Sequence, residues 1–145
     1  MANTNDSKAQ QVTIQSTINA PVEKVWQYFS DPAHIVVWNS ASDDWHTPRA
    51  DNDLRVGGKF SSRMEAKDGS MGFDFTGEYT EVKQHQRIAY VMTDGRKVSV
   101  DFRQNDNSTE IVETFDAEDT NPVDMQKAGW QSILDNFKKY VESKA

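Results

Sequence analysis

Glu113 stands in the run "TEIVETF" between Ile111 and Phe115, in a row that otherwise turns apolar side chains to one side. A carboxylate on such a face must be paired, hydrogen-bonded, neutralised or in contact with a ligand. Two readings follow. Glu113 either anchors a ligand or acts as a general base with a raised pKa; or it pairs structurally with Arg63, Arg103 or Lys97, or faces water in another register. Gln126 lies on the apolar stripe of the last helical segment, where its amide either meets a ligand oxygen or caps the end of a pocket.

Other chemistries find little footing. His34, His46 and His85 are scattered, with no pair at one-turn spacing and no cysteine beside them, so neither a transition-metal site nor thiolate chemistry is indicated. His46, next to Trp45, is the one histidine kept as a donor at a pocket rim. The run "DNDLRVGG" has the outline of a calcium loop, but Arg55 occupies its fifth position and Ser62 its twelfth, where a glutamate is needed. It reads as a turn. Nucleophile-elbow, phosphate-loop and dinucleotide patterns do not occur, and no cofactor or metal is expected.

Composition narrows the partners. The 145 residues carry 16 Lys plus Arg against 23 Asp plus Glu, a net charge of -7. Such a balance repels phosphate backbones and anionic lipid, so a nucleic-acid partner is not expected. "MANTNDSKAQQ" lacks the basic start and apolar run of a signal peptide, and no stretch is apolar for long enough to insert in a membrane. The reading is of a cytoplasmic protein with a disordered start over residues 1–10 and a single domain over 11–145.

The elements that must position these groups follow from periodicity. "VTIQSTI" alternates as a half-buried strand, with Ser16 the polar member of the row of Val12, Ile14 and Ile18. In "APVEKVWQYFSDP" the period becomes helical, Pro21 suits the first turn, and Pro32 stops the helix near Ser30. A second short helical turn is expected over residues 33–37. From Asp43 to Asp116 the pattern is strand, turn, strand, punctuated by Gly57-Gly58, Asp68-Gly69, Asp94-Gly95 and the polar loop "QNDNS". Residues 122–142 then form one long helix whose stripe holds Val123, Gln126, Trp130, Ile133, Leu134, Phe137 and Val141. The fold class is α+β: a curved antiparallel sheet of about seven strands around a long C-terminal helix, with two short helices between the first two strands. A twisted sheet curves away from a straight helix, so space tends to remain between them. Gly129 costs about 1 kcal/mol of helix propensity relative to Ala. Beside Trp130, it either enlarges that space or accommodates a bulky residue from the sheet.

The ordered set "INAPVEKVWQYFSDP", "VGGKF", "FTGEYTEV", "RIAYVM" and "GWQSILDNFKKYVE" resembles the activator-of-heat-shock-ATPase-homologue-like family. That family lies within the START and birch-pollen-allergen helix-grip superfamily (SRPBCC). The resemblance runs from about Val12 to Glu142. It implies a cavity between sheet and long helix that takes lipids, polyketides, flavonoid-like or other apolar molecules. It also implies rival roles, as a polyketide cyclase or hydrolase-like enzyme, or as a chaperone-binding module. Nothing here corresponds to the extra N-terminal domain of the chaperone activators, and Glu113 departs from the apolar residue that relatives usually carry. On the strand alternation, the concave lining is Phe60, Met64, Phe73, Phe75, Tyr90, Met92, Val100, Glu113 and Phe115, facing Gln126, Trp130 and Leu134, with Trp38 and Trp45 closing the mouth. The expected partner is a small apolar or aromatic ligand; turnover is left open, with Glu113 the candidate acid or base.

Overall fold

Alternating burial of Val12, Ile14 and Ile18 makes β1 (Gln11–Ile18) a half-covered strand in the computed structural model, which describes residues 10–144. The expected disordered start lies outside the described residues except for Gln10, whose carbonyl accepts a 2.7 Å hydrogen bond from the Ala117 amide. Two short helices follow, α1 (Val22–Ser30) and α2 (Pro32–Trp38). Asp31 separates them: its backbone is extended, and its carboxylate accepts from the Ala33 amide at 2.9 Å, capping α2 while Pro32 takes the first helical position. The start of α1 is capped from a distance, the Val22 amide donating to Gln104 Oε1 at 2.8 Å.

Six more strands form a meander: β2 (Trp45–Asn52), β3 (Lys59–Ala66), β4 (Gly72–Lys83), β5 (Arg87–Met92), β6 (Lys97–Asn105) and β7 (Ser108–Asp116). The sheet order is β1-β7-β6-β5-β4-β3-β2, and every neighbouring pair is antiparallel. The first strand thus closes on the last. Pro48 sits in edge strand β2, where the register shifts between His46 and Arg49 because a proline cannot supply a ladder donor. The polar run "QNDNS" is mostly strand: β6 and β7 pair as far as Asn105 and Ser108, and Asp106 turns the chain at a φ of 55°.

The last element, α3 (Val123–Ser143), is 21 residues long. It packs chiefly on β1, burying Leu134, Phe137 and Val141. Phe137 meets Phe29 and Trp38 edge-on at centroid distances of 5.3 and 4.8 Å, and fully burying such a ring is worth about 2–3 kcal/mol. Beneath this end of the sheet, Ile14, Ile18, Val25 and Ile111 are almost wholly excluded from water. Thr109 is buried with them because its hydroxyl donates to the Ala20 carbonyl at 2.9 Å. No helix among the described residues is long and apolar enough to cross a membrane.

Two glycines play opposite parts. At Gly77 in β4 a Cβ would stand 2.6 Å from the ring of Phe60, which lies over the glycine. At Gly129 in α3 a Cβ would meet nothing within 4 Å, so no neighbour uses the space left there. Gly129→Ala is expected to raise stability by about 0.5–1 kcal/mol through helix propensity alone. Gly77→Ala is expected to lower it by about 1–3 kcal/mol by displacing Phe60. Urea unfolding of both variants checks the pair, and a destabilised Gly129→Ala would show that the bare backbone there has a use.

Candidate functional site

Because α3 follows β1, the opposite half of the concave face, under β3 to β5, is left uncovered by the helix. A cavity of about 530 Å³ lies there, between that part of the sheet, α3 and the ends of α1 and α2. Alternation places Phe60, Ser62 and Met64 of β3, Phe73, Phe75 and Tyr79 of β4, and Ile88, Tyr90 and Met92 of β5 on its wall. Trp130, Ile133 and Leu134 come from α3, and Phe29, Ile35 and Trp38 from the short helices. The aromatic wall is continuous: Phe60 meets Tyr90 edge-on at 4.7 Å and Phe75 at 5.4 Å, and Phe75 meets Trp130 at 6.2 Å.

Most of the expected lining residues meet in this one cavity: Trp38, Phe60, Met64, Phe73, Phe75, Tyr90, Met92, Glu113, Gln126, Trp130 and Leu134. Three do not reach it. Phe115 is fully buried under the indole of Trp130, stacked at 4.1 Å and 8°, so Trp130 forms the wall in its place. Val100, flanked in the sheet by Ile88 and Glu113, is fully buried and too short to pass them. Trp45 lies outside, its ring 6.1 Å from that of half-exposed Phe73, and does not close the mouth. His46 is also off the rim, 3.6 Å from Glu65. Ser62, Tyr79 and Ile88 share the alternation of the expected residues and were legible from it. Asn39, Asn52 and Arg96 enter from a helix end, the tail of β2 and a turn, which no periodicity marks.

Some of the polar lining is already committed. Gln126 accepts from the Glu118 amide at 2.8 Å and donates to the carbonyls of Glu118 and Asn121 at 3.0 and 2.8 Å. Both its donors are spent on holding the β7–α3 connection, so of its two expected roles the hydrogen bonds favour the cap at the pocket's end over the free partner for a ligand. Asn52 accepts from the Tyr79 hydroxyl and donates to the Ser30 carbonyl at 2.6 Å, tying the sheet to the end of α1. Trp38 donates its indole N–H to the Tyr28 carbonyl at 2.8 Å.

Glu113 is different. It is 8% exposed, lines the cavity, and has no hydrogen-bond or ionic partner among the described residues. Its expected cationic partners are elsewhere: Arg63 holds Glu65 and Asp74, Arg103 reaches Glu110, and Lys97 precedes inward-facing Val98 and so points to the other face. Burial alone pushes its pKa up to about 8, so the carboxyl carries its proton at neutral pH. The side chains of Tyr90, Ser62 and Asn39, all buried and all on the wall, likewise have no partner among the described residues. An aromatic space with several unused polar groups can hold an apolar molecule that carries matching polar atoms. No group of three His, Asp or Glu side chains among the described residues is arranged to hold a metal ion.

The burial of Glu113 has a cost that depends on pH. In the unfolded chain its pKa returns to the ordinary carboxylate range, so between about pH 4.5 and pH 8 the folded state holds a proton that the unfolded state has released. Stability therefore falls across that window as pH rises. Glu113→Gln is expected to remove the penalty, gaining about 1–3 kcal/mol over wild type at pH 8 and little at pH 4.5. Thermal unfolding of both proteins across the range checks this; a difference independent of pH would refute the buried, unpaired state of the carboxyl.

Comparison with known proteins is consistent with this geometry. The family model described as "Activator of Hsp90 ATPase homolog 1-like protein" matches residues 19–142. The solution structure of an AHSA1-like protein from Aeromonas hydrophila is 49% identical, with 93% of this chain and 94% of that one covered and a TM-score of 0.88. A protein from Cytophaga hutchinsonii is 50% identical over 92% of this chain and 93% of its own, with a TM-score of 0.80. A Nitrosomonas europaea protein at 16% identity and a TM-score of 0.79, covering 92% of this chain and 95% of its own, shares the fold. A search among proteins of curated function finds no match. From its fold, its matched residues and its near relatives, the chain belongs to the family of activator of Hsp90 ATPase homolog 1-like proteins, of the helix-grip type.

Proposed function

We propose that the protein binds a small, mainly apolar or aromatic molecule in the cavity between β3–β5 and α3. The observation that carries the reading is a space of about 530 Å³ walled by aromatic and methionine side chains, into which polar groups without protein partners also face. Such a volume suits a molecule of two or three fused rings, or a short lipid chain. Met64 and Met92 add adaptable surface, which suits ligands of varying outline. Desolvating the rings of the ligand supplies most of the affinity, and the unused polar groups set its orientation.

A second reading has one specific observation in its favour. Glu113 is buried, unpaired and on the cavity wall, with a pKa near the working pH, which are the attributes of a general acid or base. An enzyme of the cyclase or hydrolase kind would use it to move a proton on the bound ligand. A protein-docking role has less support, since the exposed apolar residues Val37, Val56, Met71, Phe73 and Met125 are spread over α2, two turns, β4 and α3.

Native mass spectrometry and thermal-shift screening against fatty acids, flavonoids and aromatic polyketides test the main reading. A bound compound is expected to raise the melting temperature and perturb tryptophan fluorescence through Trp130. Ser62→Leu is expected to fill part of the cavity, keep or raise stability, and weaken that compound at least tenfold. A compound that binds the variant as tightly as wild type occupies some other site. Glu113→Gln separates the two readings: loss of turnover with affinity kept supports the enzyme, while loss of affinity alone supports the binding protein.

A further inference from the structure

The polar groups on the cavity wall are unequal in kind. Arg96 already meets Asp94 at 2.8 Å, Asn52 and Gln126 are engaged, and Tyr79 is bonded to Asn52. Tyr90 and Glu113 are not engaged, and each is only 8% exposed. Both point from the concave face, Tyr90 opposite Val98 on β6, which in turn lies opposite Phe115, two residues from Glu113 on β7. They stand two strands and one side-chain step apart, on the order of 12 Å between Cα atoms. Both are long enough to reach past short Val98 and Val100, and both line the same cavity. Burial foremost, and then the charges of Glu113 and Tyr79, push the Tyr90 hydroxyl well above its usual pKa, against the opposing effect of Arg96.

Neither group is left as a charge at neutral pH. A phenol and a carboxylic acid each present an O–H, and each loses free energy if that donor is buried without an acceptor. Across the rest of the wall the ionisable groups are Asp51, Tyr79, Arg96 and Glu118, and the acids among them belong to the edge strand and the β7–α3 connection. α3 sends Gln126 and apolar residues to the wall, and α1 and α2 send no ionisable side chain to it. The one cation on the wall, Arg96, is thus held by Asp94, while Tyr90 and Glu113 offer unengaged donors to the same space.

Resting on the reading of this cavity as a ligand site, we propose that the Tyr90 hydroxyl and the Glu113 carboxyl donate together to a single carbonyl oxygen of the bound molecule. The ligand class is then an aromatic ketone or a related ring compound with one buried carbonyl, rather than a pure hydrocarbon or an amine. Paired donors on one oxygen discriminate strongly against an analogue that lacks it, because both donors are then left buried and unmet.

Three probes of nearly one shape test this: 2-acetylnaphthalene, 2-isopropylnaphthalene and 1-(2-naphthyl)ethylamine, titrated by calorimetry at pH 6.5. The ketone is expected to bind at least tenfold more tightly than the hydrocarbon, and the amine no better than the hydrocarbon. Tyr90→Phe and Glu113→Leu are each expected to shrink the ketone's advantage by about tenfold while leaving the hydrocarbon's affinity unchanged or improved. The advantage is also expected to fall as pH rises through about 8, where Glu113 loses its proton. A hydrocarbon equal to the ketone, or an amine tighter than both, overturns the proposal while leaving the cavity a binding site. Failure of all three probes, with compounds of the wider screen still bound, overturns the proposal alone; failure of both sets overturns the binding reading with it.

Discussion

A straight helix can follow a coiled sheet along one line only, and in this protein that line is β1. α3 packs there through Leu134, Phe137 and Val141, and the sheet curves away from it across β7 to β3. Everything else is arranged around the resulting gap. On the closed side lies a close-packed core of Ile14, Ile18, Val25, Ile111 and Phe137; on the open side the same concave surface becomes the wall of a cavity. Trp130 marks the divide. One face of its indole stacks on Phe115 and belongs to the core, while the ring also meets Phe75 on the cavity wall.

The gap explains why a carboxyl can persist on β7. Were α3 pressed against it, Glu113 would be a polar group in a filled core, which large apolar residues would replace without loss. Facing open volume, it is kept from water by the walls but not crowded by them. It takes the neutral form because no cation is near, and the energy lost in burying it is held at the place where a ligand would be met. The neighbouring Gln126 resolves the same difficulty by the opposite means, spending its amide on the backbone of the β7–α3 connection.

Much of the site was legible because strand alternation is a strong rule. Phe60, Met64, Phe73, Phe75, Tyr90, Met92 and Glu113 occupy the expected face, and Trp130 and Leu134 fall on the expected stripe of α3. The residues that departed from expectation did so through contacts between elements. Phe115 and Val100 obey the alternation but are covered by larger neighbours, and a period of two gives direction without depth. Trp45 sits on an edge strand whose register is broken at Pro48, so its direction could not be counted from the strand's other end. Asn39 and Arg96 reach the wall from irregular backbone, where no period exists to read, and Asn52 from the tail of β2, beyond the break in its register.

By itself, the amino-acid sequence determined the order and kind of the elements, the apolar face of each, and the presence of an acid among apolar neighbours, since all of these follow from local spacing. Only the tertiary structure decided which part of the concave face is packed and which is hollow, that Gln126 is engaged and Glu113 free, and that Tyr90 and Glu113 share one space. Those outcomes depend on how far a curved sheet departs from a straight helix, a distance set by the sum of all the strand twists and written in no single stretch of the chain.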